Sequence, residues 1–189
     1  MEQILFVNAC VRPGSRTLNL AQRLLSRLKG QISEVDLNTS PVPFLDQNGL
    51  AQRDALLAAG DFSAPMLRHA VQFSKADTIV IAAPYWDLMF PALLKAYLEA
   101  VTVSGLTFRY TEEGRPATLC RAKRLIYVTT AGGPIGSFDF GFQYVNALAR
   151  GFFEIPEVHC IKAEGLDIVG ADVETILLRA QQVIAEKFA

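Results

Sequence analysis

Three short segments concentrate the side chains of this chain that could do chemistry. The first is Asn8-Ala9-Cys10-Val11-Arg12-Pro13-Gly14-Ser15-Arg16-Thr17, which follows an apolar run and precedes a helical pattern. Backbone amides and the dipole at a helix N-terminus favour an anion, and Ser15 and Thr17 can add hydroxyl donors for a phosphate. The segment lacks the Gly-Lys-Ser/Thr ending of a Walker loop. Its alternative is an ordinary N-capped helix with two solvated arginines. The second segment, Pro84-Tyr85-Trp86-Asp87-Leu88-Met89-Phe90-Pro91, sets the only tryptophan among other large apolar side chains between two prolines. A planar aromatic ligand could lie against it, although such clusters also fill cores and subunit interfaces. The third, Thr129 to Gly136, holds Gly132, Gly133 and Gly136. Glycine lets backbone approach a ligand closely and supplies positive φ.

Cys10 to Thr17 also satisfies C-x-x-x-x-x-R-[ST], a pattern in which a cysteine thiolate attacks a phosphoryl group clamped by Arg16. That chemistry belongs to low-molecular-weight tyrosine phosphatases, which need a general acid from an Asp-Pro motif. No Asp-Pro dipeptide occurs in the chain. Metal chemistry is not expected. Cys10, Cys120 and Cys160 are far apart and form no C-x-x-C pair, and His69 and His159 have no second ligand at helical spacing.

The elements that must position these segments alternate. Gln3–Ala9, Ile32–Leu37, Asp77–Ala83, Lys123–Thr130 and Val158–Ala163 read as strands, the third being apolar enough to be buried on both faces. Helical patterns begin at Arg16 and cover about Ser63–Lys75, Pro91–Val103, Phe140–Phe152 and Asp172–Lys187. The alternation predicts an α/β, doubly wound, five-stranded parallel sheet with helices on both faces. A short helix over Gln47–Ala59 and a hairpin over Thr107–Leu119, turning at Thr111–Gly114, are additions to that plan. In such sheets ligands bind at the carboxyl ends of the strands, beside the point where strand order reverses, and all three segments leave carboxyl ends.

The 189 residues suit a single domain spanning 1–189. With 51% hydrophobic and 20% charged residues, the composition is that of a globular protein. The 18 basic and 19 acidic side chains leave a net charge of -1 without a block of one sign, which gives no footing for nucleic acid or an anionic membrane. It also argues against a carrier that steers to partners by a strong field. No basic leader precedes the first apolar run, and no run approaches the roughly 20 residues of a membrane span. The expected location is the cytoplasm.

Taken together, Ser15-Arg16-Thr17, Ala83 to Asp87 with Pro91, Thr107 to Gly114, Thr130-Ala131-Gly132-Gly133 and Ala163-Glu164-Gly165 resemble the FMN-dependent NADH azoreductases and NAD(P)H quinone reductases, enzymes of flavodoxin-like fold. The resemblance runs from Ile4 to about Gly170. It implies the strand order 2-1-3-4-5, bound FMN, NADH or NADPH as hydride donor, a small aromatic acceptor such as a quinone or azo compound, ping-pong turnover, and a homodimer with the flavin near the interface. It further implies Cys10, Ser15, Arg16 and Thr17 at the FMN phosphate. Pro84, Tyr85, Trp86, Asp87 and Leu88 would run along the isoalloxazine, and Thr130, Ala131, Gly132 and Gly133 would close over its pyrimidine side. No catalytic acid or base is implied. The family pattern usually has serine where Cys10 stands and asparagine where Asp87 stands. A thiol is the poorer donor, and the carboxylate lacks the amide's N–H groups.

Overall fold

The computed structural model describes residues 1–188. The strands are β1 (Gln3–Asn8), β2 (Gln31–Asp36), β3 (Thr78–Ala82), β4 (Phe108–Tyr110), β5 (Pro116–Thr118), β6 (Arg124–Thr130) and β7 (Glu157–Ala163). The helices are α1 (Arg16–Leu25), α2 (Gln47–Ala59), α3 (Arg68–Lys75), α4 (Ala92–Val101), α5 (Phe140–Gly151) and α6 (Val173–Lys187). Five strands form a parallel sheet in the order β2-β1-β3-β6-β7, while β4 and β5 pair as the separate antiparallel hairpin. Numbering only the five sheet strands, this is the expected order 2-1-3-4-5.

Alternation along the strands divides the core into two layers, because successive side chains leave a strand on opposite faces. Leu5, Val7, Ile79, Ile81, Leu125 and Tyr127 pack with Phe73 of α3, Tyr97 of α4 and Val145 of α5. Ile4, Phe6, Val80, Ala82, Ile126 and Val128 pack with Leu20 and Leu24 of α1 and Ile184 of α6. All of β3 is buried, as its apolar sequence requires of the central strand.

Three helix starts follow a common rule. The side chains of Asp46, Asp139 and Asp172 accept from the backbone N–H groups of Gly49, Phe142 and Thr175, at 2.7, 3.1 and 3.0 Å. Each satisfies an amide that has no partner within its helix. The pattern expected to be helical from Ser63 begins only at Arg68, since Pro65–Leu67 forms a 3-10 turn instead. Proline presets φ at such an entry but has no N–H to give. Helix α2 buries none of its residues and stands outside both core layers.

Candidate functional site

The switch point lies between β1 and β3, because the chain leaves β1 to build β2 on one side and returns to build β3 on the other. At the carboxyl ends of these strands a crevice of about 360 Å³ opens, within the roughly 300–1,000 Å³ of small-molecule sites. Its walls come from four loops, those after β1, β3, β6 and β7.

The loop after β1 brings the start of α1 to the crevice. Ser15 is the N-cap, its Oγ accepting from Leu18 N at 3.3 Å, and the first turn contains no acidic residue. Thr17 is buried, and its Oγ1 lies 2.6 Å from Oγ1 of Thr130 at the end of β6. One hydroxyl of that pair donates to the other, so the pair has a single remaining O–H to offer. Arg16, the first residue of α1, donates from Nη1 to Asp167 Oδ1 at 2.8 Å and to Leu166 O at 3.4 Å. Arg12 sits with its guanidinium carbon 5.9 Å from the centre of the Trp86 ring, within the range of a cation–π contact.

The loop after β3 begins by pairing with β6, Tyr85 N donating to Thr130 O at 3.0 Å. Pro84, Tyr85 and Trp86 face the crevice. Asp87 and Leu88 then form the two central positions of a tight turn, with φ of 48° and 69°. Trp86 N donates to Met89 O at 3.1 Å and Met89 N to Trp86 O at 2.8 Å, closing the turn. Two consecutive left-handed residues between such paired bonds make a type I′ turn, which favours Asn, Asp or Gly. Asp87 suits it, whereas Leu88 carries a steric cost there.

After β6, Thr130, Ala131 and Gly132 line the crevice, while Gly133 turns its carbonyl to Gly165 N at 3.2 Å. The glycines differ in what they supply. Only Gly136 of the three has positive φ, at 56°. Gly132 instead makes room, for a Cβ there would overlap the Asp167 carboxylate. Asp167 N donates to Gly132 O at 2.9 Å, Leu166 N to Ala131 O at 3.2 Å, and Ile135 N donates to the Glu164 carboxylate at 2.7 Å. The loop after β7 thus ties down the glycine loop. Partial burial raises the Glu164 carboxyl, but the Lys162 ammonium and the Ile135 amide outweigh it and bring the group below its ordinary range.

Of the expected site residues, Ser15, Arg16 and Thr17, then Pro84, Tyr85 and Trp86, then Thr130, Ala131 and Gly132 meet in this crevice. Cys10, Asp87, Leu88 and Gly133 are not in its lining. Asp87 and Leu88 border a neighbouring hollow with Phe140 and Tyr144. Cys10 packs into the α1–α6 core layer, 6% exposed, with its Sγ 3.7 Å from Ala82 O. Burial pushes its thiol up to about 11, against a lowering bond from Ser15. A phosphatase nucleophile must present its sulfur to the phosphoryl group, whereas this thiol is buried and outside the crevice lining. Arg12, Leu166 and Asp167 line the crevice without having been singled out. The signal for the last two was available: β7 is also a parallel strand, so its following loop must arrive at the same end as the other three.

A family model described as flavodoxin-like fold matches residues 2–188, and the chain belongs to that family. It is 35% identical to FMN-dependent NADH:quinone oxidoreductase 2 of Clostridium acetobutylicum, over 94% of this chain and 93% of that protein. It is 34% identical to the FMN-dependent NADH:quinone oxidoreductase of Caldicellulosiruptor saccharolyticus over the whole of both chains. Among solved structures, an azoreductase from Bacillus anthracis superposes with a TM-score of 0.85 at 24% identity, over 98% of each chain. An FMN-dependent NADH-azoreductase from the same organism, in complex with FMN, gives 0.81 at 19% identity over the whole of both chains. These structures share the fold. Among the described residues, no helix is long and apolar enough to cross a membrane.

Proposed function

We propose that the chain is an FMN-dependent NADH:acceptor oxidoreductase that reduces quinone or azo compounds, with FMN held in the crevice at the β1–β3 switch point. The observation that carries this reading is the convergence there of a helix N-terminus free of acidic residues, an aromatic wall and a glycine loop. Whole-length identity to proteins named as FMN-dependent NADH:quinone oxidoreductases supports it.

The donor set fits the group. The α1 amides, the Ser15 hydroxyl, the remaining O–H of the Thr17–Thr130 pair and the Arg12 and Arg16 guanidinium groups are all donors, as a phosphate requires. Tyr85 and Trp86 bring aromatic side chains to the crevice wall, against which a ring would lie, and the tyrosine is steadied by its hydroxyl donating to Phe138 O at 3.0 Å. Bound there, FMN supplies the two-electron chemistry that passes hydride from a nicotinamide to the acceptor. The chain's own contribution is to bind, orient and exclude water. Backbone amides of the loops after β3 and β6 provide fixed dipoles for negative charge on the bound ring, and no side chain is assigned as acid or base.

The protein acts as a homodimer with this site near the interface. Supporting the dimer, α2 buries none of its residues, and Phe44, Leu50 and Phe62 in and around it are 75%, 43% and 43% exposed, apolar side chains that a partner subunit would cover. Three unpaired thiols suit the reducing cytoplasm.

The test is a visible spectrum of the purified protein, followed by anaerobic addition of NADH and then a quinone. The reading requires a yellow protein that NADH bleaches and the quinone restores. A protein that stays colourless when FMN is supplied ends it.

A further inference from the structure

Asp167 is the one carboxylate among the described residues of the crevice wall, and it reaches the cradle from the far end of the chain. Its Oδ1 accepts from Arg16 Nη1 at 2.8 Å, its backbone N–H is fixed on Gly132 O at 2.9 Å, and its carboxyl group occupies the space that Gly132 leaves open. The carboxylate is therefore held against the cradle, while Arg16 starts the helix whose amides face the same space. The side chains are 43% exposed for Arg16 and 69% for Asp167, and a pair this open to water is weak and exchangeable. Arg12 has its guanidinium by Trp86, so the lining carries two cations and one anion.

We propose that Asp167 sets the charge selectivity of the cradle: its carboxylate engages Arg16 and opposes an incoming phosphate, so that it limits how strongly the site prefers a phosphorylated ligand over its uncharged parent. This rests on the crevice being the FMN site. A phosphate entering beside α1 would compete with Asp167 for the guanidinium, and two anions sharing one crevice repel each other in a way that salt screens. The residue is a specificity determinant and touches no reacting atom.

The experiment uses full-length apoprotein titrated with FMN and with riboflavin, following the quenching of flavin fluorescence. The ratio of the riboflavin to the FMN dissociation constant isolates the phosphate, since contacts to ring and polyol cancel. Asp167→Asn keeps the shape that packs over Gly132 and removes the charge. The ratio should rise by about threefold or more at low salt, and the gain should shrink in high salt. Arg16→Gln should lower the ratio, and in that background Asp167→Asn should have a smaller effect, because the pair no longer exists to be released. Asp167→Ser provides a second uncharged variant should the amide disturb the loop. A wild-type preference for FMN that neither Asp167 variant raises overturns the inference and leaves the site reading intact. Equal affinity for FMN and riboflavin in the wild type overturns the phosphate assignment and the inference with it.

Discussion

Thr17 and Thr130 place their hydroxyl oxygens 2.6 Å apart beneath the crevice, joining the first turn of α1 to the end of β6. Neither residue is more than 9% exposed, so an unpaired hydroxyl there would keep its full desolvation cost. The contact thus does two things. It fixes the helix N-terminus relative to the sheet, and it leaves one O–H directed by a partner.

Thr17→Val should expose both roles. The substitution keeps the branched shape, removes one hydroxyl and orphans the other. Stability should fall by about 1 kcal/mol, and the FMN dissociation constant should rise by about threefold to tenfold, the usual range for one lost hydrogen bond. Thr130→Val should behave alike, and the double variant should cost less than the sum of the two. Denaturant melts and fluorescence titrations measure the two quantities. Additive losses would mean the hydroxyls act separately.

Leu88 at φ 69° is the strained member of the Asp87–Leu88 turn, and it is 47% exposed. Leu88→Gly should therefore stabilise the protein by about 0.5–1 kcal/mol, since relief of the left-handed strain exceeds the added freedom of the unfolded chain and little burial is lost. For a chain of this length the midpoint should rise by about 1–4 °C. The same variant asks whether the leucine side chain touches the cofactor. Unchanged FMN affinity confines its role to the turn, while clearly weaker binding would restore it to the ring's edge.

The parallel sheet covered on both faces and the central place of β3 were legible because β3 is apolar throughout and α1 and α6 carry apolar stripes, whereas the strand order followed from the resemblance to the reductase family. The crevice was legible in outline, since strand-end loops converge in any parallel sheet. Asp167 escaped because nothing local marks it: its partner Arg16 lies 151 residues earlier, and the need for Gly132 arises only when the two loops meet. Cys10 was misleading for a related reason. Its spacing to Arg16 fits a nucleophile loop, but which way a side chain leaves the end of β1 depends on the packing of α1 against the sheet.

Glu164 gives the loop region a pH dependence. Its folded-state value is depressed, because bonds from Lys162 and Ile135 N outweigh partial burial. The stabilisation is then present above the unfolded carboxyl's value, 4.5, and is lost as pH falls through the lower folded value. Wild type should lose protection of the Ile135 amide against hydrogen exchange as pH falls through that depressed folded value. Glu164→Gln should show weaker protection at neutral pH and no such step. A step that persists in Glu164→Gln would assign the titration to another group.

Cys10→Ser separates a structural thiol from a reactive one. The thiol is packed in the α1–α6 core layer, close to Ala82 O, and burial pushes it up to about 11, so almost none is ionised at neutral pH. A serine hydroxyl in its place needs a small shift toward Ala82 O to gain a partner for the polar atom it brings into the core. NADH oxidation with a quinone acceptor should therefore persist within about twofold of wild type, a barrier change of roughly 0.4 kcal/mol. FMN affinity should also hold, because the side chain lies outside the crevice lining. Thiol-alkylating reagents should leave Cys10 unmodified in the folded protein and label it after denaturation, which mass spectrometry of the cysteine peptide reads directly. A hundredfold loss of turnover in Cys10→Ser, about 2.7 kcal/mol on the barrier, in a variant that still binds FMN would give the thiol a chemical role that its burial denies.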